Sequence, residues 1–171
     1  ARGGDDVVTG SEASEELVGG AGDDVLDGGA GDDVLTDAQG TNTLTGGTGD
    51  DVINLTGTSA PQGVVVGGEG TDTLRVASDT NFSNLSISNV EILDGRGGRT
   101  QLTPQDVVDR GFTTANNITF SLDPNGTGGT LDASGLAGNF TLRGSNQSDH
   151  LIGNADANTL YLHGEDNYQG S

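Results

Sequence analysis

An all-β solenoid, wound from short parallel strands that stack into two facing sheets and interrupted by one short helix, is the fold this 171-residue sequence predicts. Three observations predict it: a nine-residue period, an aliphatic residue at one fixed place in each period, and glycine where the chain must turn. Cut from residue 1 in nines, the chain reads ARGGDDVVT, GSEASEELV, GGAGDDVLD, GGAGDDVLT, DAQGTNTLT and GGTGDDVIN, reaching Asn54 without a slip of phase. Leu55, Thr56 and Gly57 are inserted, and the frame resumes as TSAPQGVVV and GGEGTDTLR through Arg75. Near the other end GSNQSDHLI and GNADANTLY, residues 144–161, fall into the same frame.

Each unit reads as a turn followed by a strand. Position 8 is Val8, Leu17, Leu26, Leu35, Leu44, Ile53, Val65, Leu74, Leu151 and Leu160, so it is always aliphatic. In a three-residue strand at positions 7 to 9 the middle side chain points one way and its neighbours the other. Glycines at positions 1, 2 and 4 permit positive φ or close approach of backbones. They also exclude a helix, at about 1 kcal/mol each. One inward aliphatic per nine residues cannot form a core alone, so units must stack, and two units per coil place the strands in two facing parallel sheets.

Composition narrows the function classes. The 26 acidic residues face six basic ones, all arginine, for a net charge of -20. Such a polyanion does not hold nucleic acid unaided. Without cysteine there is no disulfide and no thiolate metal site. No apolar run approaches membrane-spanning length, so no membrane insertion is expected. No signal-peptide core opens the sequence, and both ends lie in pattern-like sequence, which reads as a piece of a longer polypeptide.

The acids have a place in the period. Position 6 is Asp6, Glu15, Asp24, Asp33, Asn42, Asp51 and Asp72 in the first half, the proline-bearing unit excepted. With unit n lying over unit n+2, these side chains line up about 4.8 Å apart along each edge. Stacked carboxylates repel unless a hard dication lies between them. Turn carbonyls then complete the six to eight oxygen ligands that Ca²⁺ prefers, whereas Mg²⁺ demands tighter octahedral geometry. The expected pairs are Asp6 with Asp24, Glu15 with Asp33, Asp24 with Asn42, Asp33 with Asp51, and Asp51 with Asp72. Those containing Glu15 or Asn42 are expected to be weaker.

GGAGDDVLD, GGAGDDVLT, GGTGDDVIN and GGEGTDTLR resemble the G-G-x-G-x-D-x-U-x nonapeptide of RTX (repeats-in-toxin) proteins, over residues 1–75 closely and 144–161 loosely. The resemblance implies a right-handed parallel β-roll or β-helix whose turns bind several Ca²⁺ ions. It also implies type I export from a Gram-negative bacterium and folding outside the cell. Besides the position-6 side chains, the ligands it points to are the turn residues Gly19, Gly20, Ala21, Gly22, Gly28, Gly29, Ala30, Gly31, Gly46, Thr48, Gly49, Gly68 and Gly70. GSEASEELV and DAQGTNTLT depart from the pattern, so poorer sites are expected on one edge. With a Kd near 10⁻⁴ M, millimolar calcium contributes roughly 1.4 kcal/mol per site, and four or five such sites approach the stability margin of a whole domain.

Between residues 76 and 143 the period fails, which divides the chain into a calcium-binding roll (1–75), an irregular solenoid segment (76–143) and degenerate repeats (144–171). NLSISNVEIL predicts strands with Leu85, Ile87, Val90 and Ile92 inward, followed by a turn in DGRGG. TPQDVVDRG predicts a helix over 104–110, with Thr103 as N-cap, Pro104 at N1, Asp106 at N3 and Gly111 beyond its end. NITFSLD, GTLDAS and NFTLRG predict three further strands, in a stack expected to continue that of the first half.

Catalytic motifs are absent: there is no H-E-x-x-H, G-x-S-x-G or Walker loop, and no cysteine nucleophile. His150 and His163, near Asp149, Asp166 or Tyr161, are expected to be surface residues. Arg96 and Arg99 are expected to pair with nearby acids. Position 3 carries a threonine only at Thr48, so the flat threonine line of an ice-binding face is not offered. The expected function is non-enzymatic: a calcium-binding structural module of a secreted bacterial cell-surface protein of adhesin or S-layer type, assembling with copies of itself, other surface proteins or glycans. The alternative is the C-terminal folding and secretion module of a type I-secreted enzyme, such as a protease, lipase or alginate epimerase.

Overall fold

The computed structural model describes residues 3–57, 61–77, 79–100, 102–122, 128–162 and 167–169. Its strands are β1 (Val7–Thr9), β2 (Glu16–Val18), β3 (Val25–Ala30), β4 (Val34–Asp37), β5 (Thr41–Thr48), β6 (Val52–Leu55), β7 (Gln62–Glu69), β8 (Thr73–Arg75), β9 (Leu85–Ser88) and β10 (Ile92–Thr100). After helix α1 (Pro104–Asp109) come β11 (Thr114–Ser121), β12 (Thr130–Asp132), β13 (Phe140–Arg143), β14 (His150–Ile152), β15 (Thr159–Tyr161) and β16 (Asn167–Gln169).

The nine-residue unit sets the topology. All pairings run parallel, and alternate strands join opposite faces: β1-β3-β5-β7-β9 form one sheet, and β2, β4, β6, β8, β10, β11, β13 and β15 the other. Eighteen residues therefore close one coil, as the partners Val7 with Val25 and Val34 with Val52 record. The insertion lengthens one coil to 21 residues between Thr43 and Val64 without disturbing the register on either side. The position-8 column fills the core: Leu17, Leu26, Leu35, Leu44, Ile53, Val65, Leu74 and Leu151 are buried, and Val8 and Leu160 on outlying coils partly so. The fold is thus a mostly-strand parallel β-solenoid with one short helix.

The second sheet runs unbroken from β2 to β15, while β12-β14-β16 form a separate sheet. Helix α1 lies between this sheet and β9: it contacts β12, and Arg110 at its C-cap donates to the Leu85 and Phe82 carbonyls and stacks on Phe82. The helix thus takes the place of a strand. Thr103 is the N-cap as expected and forms a capping box with Asp106, and Gly111 leaves the helix at φ +93°. Around it the core thickens with Phe82, Phe112, Phe120 and Phe140, the last two edge to face at 5.8 Å.

Two expectations for the middle segment change. DGRGG is no turn: Asp94 to Gly98 lie inside β10, where the pairing with β11 slips and Arg96 adopts φ +51°, a bulge that keeps both flanks in the sheet. Ile92 is only half-buried. Its neighbour Leu93 faces inward, because it pairs with the position-8 residue Leu74. Leu85 and Val90 are buried as expected, and Ile87 is partly buried against the core.

Candidate metal centre

Position 6 closes each turn, and most of its residues directly precede a strand. The coil repeat sorts them onto two edges, Asp6, Asp24 and Asn42 on one and Glu15, Asp33, Asp51 and Asp72 on the other. In every expected pair the side chain of the later coil accepts from the main-chain amide of the earlier one. Asp6 donates to Asp24 Oδ1 (2.8 Å), Glu15 to Asp33 Oδ1 (2.7 Å), Asp24 to Asn42 Oδ1 (2.8 Å), Asp33 to Asp51 Oδ1 (2.8 Å) and Asp51 to Asp72 Oδ1 (2.9 Å). The Asp72 amide continues the column by donating to Glu91 Oε2 at 2.9 Å. The sequence frame missed Glu91, since the coil that carries it has drifted out of nine-residue phase.

The first acid of each DD doublet, at position 5, forms an opposite ladder. Exposed Asp5, Asp23, Asp32 and Asp50 accept from the amides of Asp23, Thr41, Asp50 and Thr71 on the following coil, at 2.7 to 2.9 Å. Position 5 thus reaches forward along the stack and position 6 reaches back.

The remaining carboxylate oxygens carry the chemistry. Asp24, Asp33, Asp51 and Asp72 are at most 1 % exposed, and the Oδ2 of each has no hydrogen-bond partner. An unpaired buried charge costs several kcal/mol. Beside each such oxygen lies a cradle left open by a position-1 glycine. A Cβ on Gly28 would lie 2.5 Å from Asp33 Oδ2 and against the Gly46 carbonyl; one on Gly46 would meet Asp51 Oδ2 and the Gly67 carbonyl; one on Gly67 would meet Asp72 Oδ2 and the Asn89 carbonyl. Each of these three cradles pairs a carboxylate oxygen with a main-chain oxygen from the next coil. Among the described residues no cluster of three or more His, Cys, Asp or Glu side chains gathers. An oxygen-only set drawn from carboxylates and carbonyls fits Ca²⁺.

The other turn residues expected as ligands build the walls. Gly20, Gly22, Gly29, Gly31, Gly49, Gly68 and Gly70 take positive φ. The carbonyls of Ala21 and Thr48 accept amides from the preceding coil, and Ala30 donates to the Ser11 carbonyl. Gly19 lies beneath Asp24 Oδ2 on the first edge. Burial raises the pKa of Asp51, with the carboxylates of Asp72, Asp33 and Asp32 adding to it and the Asp33 amide opposing. Burial likewise raises Asp72, with Glu91 and Asp50 adding and the Asp51 amide opposing.

Two position-6 carboxylates are built differently. Glu15 accepts from both the amide and the hydroxyl of Ser11, which hold its pKa below the usual value. Buried Asp149 accepts from the Ser145 amide (2.5 Å) and hydroxyl and from the Gly129 amide. Both serines occupy position 2, where the regular units have glycine. In these two turns a hydroxyl supplies the partner that Asp24, Asp33, Asp51 and Asp72 lack.

His150 opens β14 and is half-buried, while His163 and Asp166 lie outside the described residues. Arg96 reaches the Asn54 amide oxygen at 2.8 Å rather than an acid. Arg75 pairs with Asp94 at 3.4 Å. No described helix is long and apolar enough to cross a membrane. The family model described as the RTX calcium-binding nonapeptide repeat (4 copies) matches residues 9–36, 36–55 and 134–168. No curated protein matches the chain.

Proposed function

We propose that this chain, whose RTX calcium-binding nonapeptide repeats form a β-solenoid, is a calcium-switched structural module of a secreted bacterial cell-surface protein, of the adhesin or surface-layer kind. RTX repeats imply Ca²⁺ and are typical of type I-secreted extracellular proteins, and the aspartate-rich turns fit the ion. The observation that carries the calcium switch is the column of buried, partnerless Oδ2 atoms beside glycine cradles. In the cytosol, where calcium is sub-micromolar, the like-charged edges oppose coiling. Outside, millimolar calcium turns the same edges into ligands and adds about 1.4 kcal/mol for each site with a Kd near 10⁻⁴ M.

A non-catalytic role accords with a sequence that lacks the common catalytic motifs and spends its acids on a periodic ladder. The test is circular dichroism and light scattering across a calcium titration. Strand signal and melting temperature are both expected to fall in excess EGTA and to recover at millimolar calcium, with ordered sheets or filaments in the microscope. A spectrum indifferent to EGTA sinks the switch. Calcium-driven folding to a monomer at every concentration replaces the surface-assembly reading with that of a folding module attached to a secreted enzyme.

A further inference from the structure

One of the units that depart from the repeat consensus has gained an acid where the regular units have glycine. DAQGTNTLT places Asp37 at position 1 and Asn42 at position 6. Asn42 preserves the amide ladder by accepting from Asp24, yet it brings no charge to the edge. Asp37 restores it. The Asp37 side chain is 1 % exposed; its Oδ1 accepts from Ala38, and its Oδ2 has no hydrogen-bond partner.

Where that oxygen lies decides its role. A Cβ on Gly19 would fall 2.7 Å from Asp24 Oδ2 and 2.9 Å from Asp37 Oδ2. Two buried, partnerless carboxylate oxygens from successive coils thus converge on one glycine cradle. At Gly28, Gly46 and Gly67 the corresponding place is shared by one carboxylate and one carbonyl. Ca²⁺ affinity rises with the charge of the ligand set. We infer that Asp37 is a calcium ligand outside the repeat's usual ligand position, and that the Gly19 cradle between Asp24 and Asp37 is the tightest calcium site of the roll and the first to fill. Each other cradle waits for a single carboxylate. This one is already doubly charged, so the coil that looks degenerate anchors its edge. The inference rests on the calcium reading above.

The experiment is isothermal titration with calcium alone, on the whole chain and on Asp37→Asn, Asp24→Asn, the double variant and Asp51→Asn, with melting followed in EGTA and in calcium. Asn keeps the oxygen that accepts from Ala38, so a purely structural Asp37 loses little. The expected result is that Asp37→Asn and Asp24→Asn each weaken the tightest site tenfold or more. The double variant should lose no further site, because both residues serve one ion. Asp51→Asn should spare the tightest site and remove a weaker one. In EGTA, Asp37→Asn should melt at or above the wild-type temperature, since it removes a buried repulsion, while its calcium-induced rise shrinks. Wild-type affinities in Asp37→Asn overturn the proposal, as does additive loss of two separate sites in the double variant. If the wild-type chain binds no calcium at all, the broader calcium reading fails with it, and that outcome is distinct from the others.

Discussion

At the scale of single residues, position 2 decides how a turn satisfies its acid. With glycine there, the position-6 carboxylate keeps an oxygen for an ion; with Ser11 or Ser145, a hydroxyl occupies it. Ser145→Ala strips two hydroxyl contacts from a carboxylate that is 3 % exposed. Because the acceptor is charged and buried, the expected loss is about 1.5–3 kcal/mol, read from the unfolding midpoint in EGTA. With its carboxylate already satisfied by the hydroxyl, the turn needs no ion of its own, so local hydrogen exchange around Ser145 should respond less to calcium than that around Asp51.

At the scale of elements, the strands and turns were legible wherever nine-residue phase survived. Position 8 names the core from Leu17 to Leu74, and position 6 names the paired acids. What escaped the frame has a physical reason in each case. Glu91 joins the column after a coil of 19 residues, and Leu93 rather than Ile92 inherits the inward place by pairing with Leu74. DGRGG reads as a turn because glycines mark turns, but a bulge needs the same freedom. Asp37 reads as a defect in the glycine pattern, and its convergence with Asp24 emerges only once the coils are stacked. Helix α1 was plain from its caps. Thr103→Ala removes the hydroxyl that accepts from Asp106 and should cost about 1 kcal/mol, seen as a lower melting temperature with unchanged calcium stoichiometry. Hydrogen bonds from Thr103 hold the Asp106 pKa below its usual 3.8, so this contribution is present above that pH and fades as the pH falls through the lowered value.

At the scale of the whole molecule, charge sets the response to acid. Burial raises the pKa of Asp37, Asp51 and Asp72, with the Asp24 carboxylate adding at Asp37 and the amides of Ala38, Gly20 and Gln39 opposing. In the calcium-free chain the folded state therefore binds more protons than the unfolded one above pH 3.8, and stability falls as pH rises through the raised values. Melting in EGTA is expected to improve as the pH is lowered towards the raised values. In calcium the order reverses, because protons then compete with the ion for the same oxygens. A thermal melt series at both conditions checks the crossing.

The two opposed ladders have a mechanical corollary. Asp23 grips the coil ahead while Asp24 grips the coil behind, so every layer is clasped to its nearest neighbours alone. Pulled along its length, such a stack gives way a layer at a time, and each layer that leaves bares the same pair of open clasps as the one before it. The strip behaves like a fastener with identical teeth: it can be peeled in even steps and closed again from wherever the peeling stopped.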